Sequence, residues 1–216
     1  MKRITVFTFL FFSISFFFGQ MNPEKWKEDI NFLRENLSKK HYNLFFKREK
    51  PQFDKDLDNL ISKTKTISDL EIALKLQQII AKQGDTHTNI SWGKYLSNDK
   101  ILPLRFFYFE DGIYVTLTNQ KNKELLGKKI IKINGFDIKK VTDSISSLFV
   151  NENKAIYKSK SLTGLHSTQL LRFFGFAKND SIKITFQNSN LLTEKTLLPE
   201  EIKDDDKIKI NPQNIT

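Results

Sequence analysis

Residues 125–138, with the sequence LLGKKIIKINGFDI, decide the fold class. The run Lys129–Ile133 is rich in β-branched apolar residues and predicts a strand. Gly127 permits a tight turn into this strand, and Asn134-Gly135 tolerate the positive φ angles of a hairpin turn after it. The stretch therefore predicts hairpin-forming β structure in the second half of the chain.

Further strand patterns lie on both sides of this stretch. Residues 102–109 and 113–118 are apolar and β-prone, and Asp111-Gly112 between them is a hairpin signal. Residues 181–186 (SIKITF) alternate as a half-buried strand does. Weaker patterns predict strands near 194–198 and 207–210 and a short strand at 88–92. Helical stretches are predicted at 141–150, 152–162 and 167–174.

The preceding part of the chain has helical periodicity. Asn22-Pro23 supplies an N-cap and a first-turn proline, Pro51 opens a second helical segment, and Ser68 to Glu71 form a capping box for a third helix that Gly84 ends. The fold class predicted is α+β, in which a three-helix unit over 22–84 precedes a strand-rich module over 101–200.

The first twenty residues differ from the rest in composition. They contain Lys2, Arg3, seven of the twenty Phe and no acidic residue. A basic start before an apolar run of about 15 residues is typical of a secretory signal and is short for a membrane span. We predict that 1–20 is a signal peptide cleaved beside Gly19 or Gln20, with an uncleaved membrane anchor as the alternative, and that the protein is periplasmic or extracellular.

Charge and cysteine content exclude several functions. Without Lys2 and Arg3, 33 basic residues stand against 25 acidic ones, a net charge of +8, but the bases are interspersed with acids and form no one-sided stripe. The pattern predicts a solvated surface and no nucleic-acid partner. The absence of Cys excludes disulfides, a thiol nucleophile and Cys-based zinc sites.

The loop Gly84-Asp85-Thr86-His87-Thr88 joins the two units and is the first candidate for chemistry. A loop histidine with an aspartate two residues before it can be oriented by local hydrogen bonds, as a general base requires. On spacing alone, a structural hydrogen-bonding histidine is the commoner case. His41, His87 and His166 lack the i, i+4 spacing of a helical metal site, and Asp204 to Asp206 are typical of a solvated tail, so no metal and no cofactor are predicted.

Taken together in this order, the motifs resemble the C-terminal processing (tail-specific) serine peptidase family, in its tricorn-core-like secreted branch. The resemblance spans roughly 22–200 and covers the N-terminal portion of such enzymes. It is carried by the helix starting at Trp26, by His41-Tyr42-Asn43-Leu44-Phe45, by the Gly84 to Thr88 loop, by Leu102-Pro103-Leu104-Arg105-Phe106 with Asp111 to Val115, and by 126–138.

The resemblance implies roles for several residues. His87 occupies the position of the general base, Asp85 and Thr88 would shape its loop, and His41 with Asn43 would pack and cap a helix end. Residues 101–200 would form a PDZ-like domain that presents substrate, and 85–100 would be the linker loop carrying His87. In relatives a protease core with the nucleophilic serine follows, so 201–216 would be a tail or the start of that core.

The sequence departs from the family pattern because it has no Gly-x-Ser-x-Gly nucleophile elbow. A base without a nucleophile and oxyanion donors has no acyl-transfer transition state to stabilise. We therefore predict an exported N-terminal part of a tail-specific-type serine peptidase that is inactive alone. The alternative is a stand-alone PDZ-like module that takes a peptide C-terminus or an unfolded protein segment onto its sheet edge. A membrane contact is expected only through an uncleaved signal segment.

Overall fold

The computed structural model describes residues 21–211. Its first part is helical, as the periodicity predicts. Asn22 accepts a hydrogen bond from the Glu24 N–H, and Ser68 with Glu71 forms both bonds of a capping box. These caps satisfy main-chain N–H groups that a helix leaves unpaired at its start. The helices are α1 (Pro23–Lys40), α2 (Lys50–Ile61) and α3 (Asp69–Ala81).

The three helices share one apolar core. The Trp26 indole Nε1 donates to Asp69 Oδ1 at 2.6 Å and thereby joins the start of α1 to the start of α3. The fully buried side chains of this core come from all three helices and include Ile30, Phe53, Leu57, Ile72 and Ile80.

A strand-rich module follows the helices, so the α+β class and its order are confirmed. Its strands are β1 (Leu104–Tyr108), β2 (Ile113–Asn119), β3 (Lys129–Ile133), β4 (Phe136–Asp137), β5 (Ile182–Asn188), β6 (Leu191–Leu197) and β7 (Lys207–Lys209). Three helices lie between β4 and β5, namely α4 (Ile138–Ser146), α5 (Lys154–Lys160) and α6 (Thr168–Phe173).

Within the described residues these strands form one antiparallel sheet. Its main order is β1-β2-β3-β5-β6, while β4 pairs with β3 and β7 pairs with β2. β7 therefore belongs to the same sheet although it lies beyond residue 200. β1 is an edge strand, because it pairs with β2 alone.

The turn after β3 shows why residues 125–138 have a strong effect on the fold. Asn134 and Gly135 have φ angles of 48° and 83°, which the asparagine and glycine tolerate. The Asn134 side chain also accepts from the Lys183 N–H at 2.8 Å and donates to the Phe176 carbonyl at 2.8 Å. One residue thus makes the turn and fixes it to the start of β5.

The prediction of a short strand at 88–92 is wrong. The Ile90 N–H donates to the Gln77 side chain at 2.7 Å, and a 3-10 turn begins at Trp92. The main-chain N–H and C=O groups of a strand form hydrogen bonds with a neighbouring strand. Here the Gln77 side chain of α3 accepts the hydrogen bond of the Ile90 N–H instead.

The helical part and the sheet module pack against each other. Leu74 of α3, Leu148 after α4 and Leu170 of α6 form a small buried cluster. Beside it, the buried Gln77 Nε2 donates to the Leu148 carbonyl at 2.6 Å. Gln77 is therefore hydrogen-bonded both to the sheet module and to the loop that carries His87.

Among residues 21–211, no helix combines the length and apolar character that crossing a bilayer requires. The predicted signal segment, 1–20, lies outside the described residues.

Candidate functional site

The loop carrying His87 begins with a sharp change of direction after α3. Gly84 is buried and has a φ of 88°, a left-handed conformation that favours glycine. The chain then turns back as an irregular segment, which brings Asp85 opposite the end of α1.

Asp85 is the centre of a hydrogen-bond network. Its Oδ2 accepts from the Thr88 hydroxyl at 2.5 Å and contacts His41 Nε2 at 3.0 Å, while its Oδ1 accepts from the His87 main-chain N–H at 3.0 Å. The carboxylate therefore fixes the main chain of the loop and does not touch the His87 ring.

The hydrogen bonds from Thr88, His41 and the His87 N–H hold the pKa of Asp85 far below its ordinary value of 3.8. A carboxylate with a lowered folded-state pKa contributes stability that is complete above the unfolded value and is lost as the pH falls below it. Asp85 therefore keeps the loop in place throughout the neutral range.

His41 has a larger part in this site than the sequence indicated. Its Nδ1 accepts from the Asn43 N–H at 3.1 Å, so in neutral imidazole the proton is on Nε2, which donates to Asp85. Both ring nitrogens are engaged, and His41 therefore holds Asp85 and does not act as a free base. His41 and Asp85 are 44 positions apart in the sequence, which explains why no local pattern could reveal this pair.

The His87 side chain is exposed, and within residues 21–211 its ring has no hydrogen-bond partner. An exposed imidazole on a fixed main chain can accept a proton from a group that approaches from solvent. The roles of His87, Asp85 and Thr88 in catalysis remain predictions. In the described part of the chain, no three His, Cys, Asp or Glu side chains form a cluster that could hold a metal.

A second candidate site is the groove between β1 and α5, which we call the β1–α5 groove. It encloses about 540 Å³. One wall is residues 106–108 of β1. The other wall is one side of α5 and the turn that follows it, formed by Ala155, Lys158, Ser159, Leu162 and Thr163.

The open edge of β1 supplies main-chain groups to this groove. The Phe109 N–H donates to the Gly112 carbonyl at 2.8 Å across the β1–β2 hairpin. Hydrogen-bonded pairs alternate along an antiparallel ladder, so the main-chain groups of Phe107 face β2 and those of Phe106 and Tyr108 point away from it. The groove thus offers the N–H and C=O groups of two residues to an added strand.

α5 is fixed at one end of the groove. The Lys158 ammonium donates to the Phe109 carbonyl at 3.0 Å and lies 5.3 Å from the Tyr108 ring centre. The Tyr157 ring packs edge-on against Tyr108, with 6.3 Å between centroids. These contacts join α5 to the end of β1 and so connect the two walls of the groove.

Replacing Asp85 by alanine is expected to destabilise the protein by about 1–3 kcal/mol, because three donors lose a charged acceptor that is one-fifth exposed. Amide exchange at His87 should accelerate more than at residues of α2. Asp204→Ala is the control, since that carboxylate is 98% exposed, and it should leave the free energy of unfolding nearly unchanged. Equal effects of the two substitutions would contradict the assigned role of Asp85.

Comparisons with known proteins identify a fold shared with a protease. No family model matches the sequence, and no curated protein is similar to it. The fold is similar to part of a tail-specific-protease-like serine protease, CPAF, the chlamydial protease-like activity factor. For mature CPAF complexed with lactacystin the TM-score is 0.54 with 14% identity, and for mature CPAF it is 0.50 with 15% identity.

The match covers 82% and 81% of this chain but 34% of each CPAF chain. The chain thus spans about a third of the length of the proteases that it resembles. At 14% and 15% sequence identity, the similarity establishes that the fold is shared and nothing further.

Proposed function

We propose that this chain is the substrate-binding portion of a tail-specific-type serine peptidase, and that it works outside the cytoplasm. The observation that carries the proposal is the open edge of β1 facing α5 across an apolar groove. The similarity of the fold to part of CPAF and the motif order of the sequence both support it.

The groove is suited to polypeptide capture by strand addition. An extended segment beside β1 would pair with the main-chain groups of Phe106 and Tyr108, which gives affinity without dependence on sequence. Its alternate side chains would contact Ala155 on α5 and Leu162 in the turn that follows α5. Apolar side chains of the bound segment are favoured there, because Lys158, at one end, is the single charged residue among the described residues that line the groove.

His87 is the proposed general base of the complete enzyme. In support, its ring is exposed and unbonded within residues 21–211 while Asp85 fixes its main chain. No serine in that part is hydrogen-bonded to the ring, so the nucleophile would have to come from elsewhere. We therefore expect the 216-residue chain to bind peptides without cutting them.

Peptide binding provides the test. A fluorescein-labelled library of eight-residue peptides with blocked ends, apolar at alternate positions, should bind the chain with a submillimolar dissociation constant in fluorescence anisotropy. Ala155→Arg places a long charged side chain in the groove and should weaken binding at least about 10-fold. N-methylation of alternate peptide amides should have a similar effect, because it removes donors to the β1 edge.

Gln52→Arg is the matched control, because it adds the same charge on the exposed surface of α2, away from the groove. Its affinity should stay within about twofold of the parent chain. Absence of binding at millimolar peptide would contradict the proposed function. So would equal weakening by Ala155→Arg and Gln52→Arg.

A peptide-binding module without catalysis is the second candidate, since the whole groove comes from β1 and α5 of one sheet module. The two functions differ in whether bound peptide is cut. Cleavage by the longest form of the protein made in its natural host, lost in His87→Ala, favours the peptidase. Binding without cleavage in that form favours the module.

A further inference from the structure

We propose that the β1–α5 groove takes internal extended segments of polypeptides and does not select chain termini. This inference rests on the proposed function, because it concerns the same groove. It follows from the donors and charges that the structure provides at the two ends of the groove.

The direction of an added strand decides which terminus would lie at which end. Every strand pair in the described sheet is antiparallel, and antiparallel pairing is slightly the more stable kind. A segment added antiparallel to β1 runs with its carboxyl end toward Leu104. Its amino end then lies near Tyr108 and Lys158.

At the Leu104 end, the two main-chain N–H groups that immediately precede Arg105 are already donated within the chain. The Leu102 N–H donates to the His166 carbonyl at 2.8 Å, and the Leu104 N–H donates to the Leu102 carbonyl at 2.7 Å. Pro103, between them, has no N–H. Capture of a terminal carboxylate in a protein groove relies on a cluster of such donors or on a cation, and a buried unpaired carboxylate is costly.

Arg105, the residue that follows Leu104, directs its charge to a different cavity. Arg105 donates to the Leu104 carbonyl, and its side chain lines a separate cavity of about 730 Å³. That cavity also contains Asp99, Glu200 and Glu201, so the acidic residues of its lining outnumber Arg105 and Lys207. An added carboxylate would meet net negative charge there.

The opposite end disfavours a free amino terminus. Lys158 has its ammonium beside the Phe109 carbonyl, and no carboxylate of residues 21–211 pairs with it. A terminal ammonium of the added strand would meet this like charge, whereas a continuing peptide chain would not.

The experiment compares three forms of the same alternating peptide library in anisotropy titrations: both ends blocked, free carboxyl end, and free amino end. We expect the free-carboxyl form to bind no more tightly than the blocked form, and the free-amino form to bind about two- to fivefold more weakly than the blocked form. A free-carboxyl form that binds at least about 10-fold tighter would overturn the inference while leaving the proposed function intact. If no form binds at millimolar concentration, the proposed function itself fails.

Lys158→Met serves as the second variant, because it keeps the aliphatic stem and removes the charge. In Lys158→Met, the ratio of the dissociation constants of the free-amino and blocked peptides should fall to about one, because the like charge that opposes the terminal ammonium is gone. A penalty that persists in Lys158→Met would contradict the assigned effect of this lysine.

Discussion

Replacing Gln77 by leucine is expected to lower the free energy of unfolding by about 2–4 kcal/mol, one of the largest effects of any single polar substitution considered for this chain. Gln77 is 1% exposed. Its Nε2 donates to the Leu148 carbonyl at 2.6 Å, and its Oε1 accepts from the Ile90 N–H at 2.7 Å. Leucine fills a similar volume but leaves both main-chain groups without a partner.

Gln78 provides a matched control for this prediction. It is the next residue of α3, is only partly buried, and donates to the Ser147 hydroxyl at 2.7 Å. Gln78→Leu should cost below about 1 kcal/mol, because water can replace its bond. Urea unfolding followed by tryptophan fluorescence measures both variants. Equal losses of stability would show that Gln77 is not the special link between α3, the His87 loop and the sheet module.

Acidification from pH 7 to pH 5 is expected to remove about 2 kcal/mol of stability through His166. Burial, and secondly the positive charge of Arg105, lowers the pKa of His166 to about 4 from an ordinary value of 6.5. The neutral ring is therefore favoured in the folded protein. Its contribution is complete above pH 6.5 and is lost as the pH falls toward 4, because the unfolded chain binds the proton first.

His166→Gln tests this pH dependence. The variant should lose stability less steeply between pH 7 and pH 5 than the parent chain in urea unfolding. An unchanged slope in His166→Gln would contradict the assignment. The loss of stability that follows protonation of Asp85 occurs below about pH 4, so it does not overlap with the range from pH 7 to pH 5.

Local structure was largely predictable from the sequence. The capping residues Asn22 and Ser68 begin α1 and α3 as expected, and the Asn134-Gly135 turn has the positive φ angles that its residue types allow. Such features depend on neighbours within a few residues. The strand predicted at 88–92 failed because alternation indicates which residues can form a strand, not whether a partner strand lies beside them.

The candidate site was predictable in part. Asp85, His87 and Thr88 could be proposed because they lie together in one loop. His41 was expected to pack and cap a helix end; it is the C-cap of α1, and its ring in addition contacts Asp85, 44 positions away in the sequence. Gln77 gave no signal at all, since a buried glutamine within an apolar helix face becomes informative only when its partners are known.

The sequence by itself therefore determined the helices, most of the strands, the turn after β3 and the loop that presents His87, because each depends on local propensity and capping. The tertiary structure decided which groups meet: His41 with Asp85, Gln77 with Leu148, and β1 with α5 across an open groove. These contacts join residues that are 44, 71 and about 50 positions apart. Only the packing of the helices against one another and against the sheet module brings them together, and no periodicity along the chain encodes the distance between such atoms.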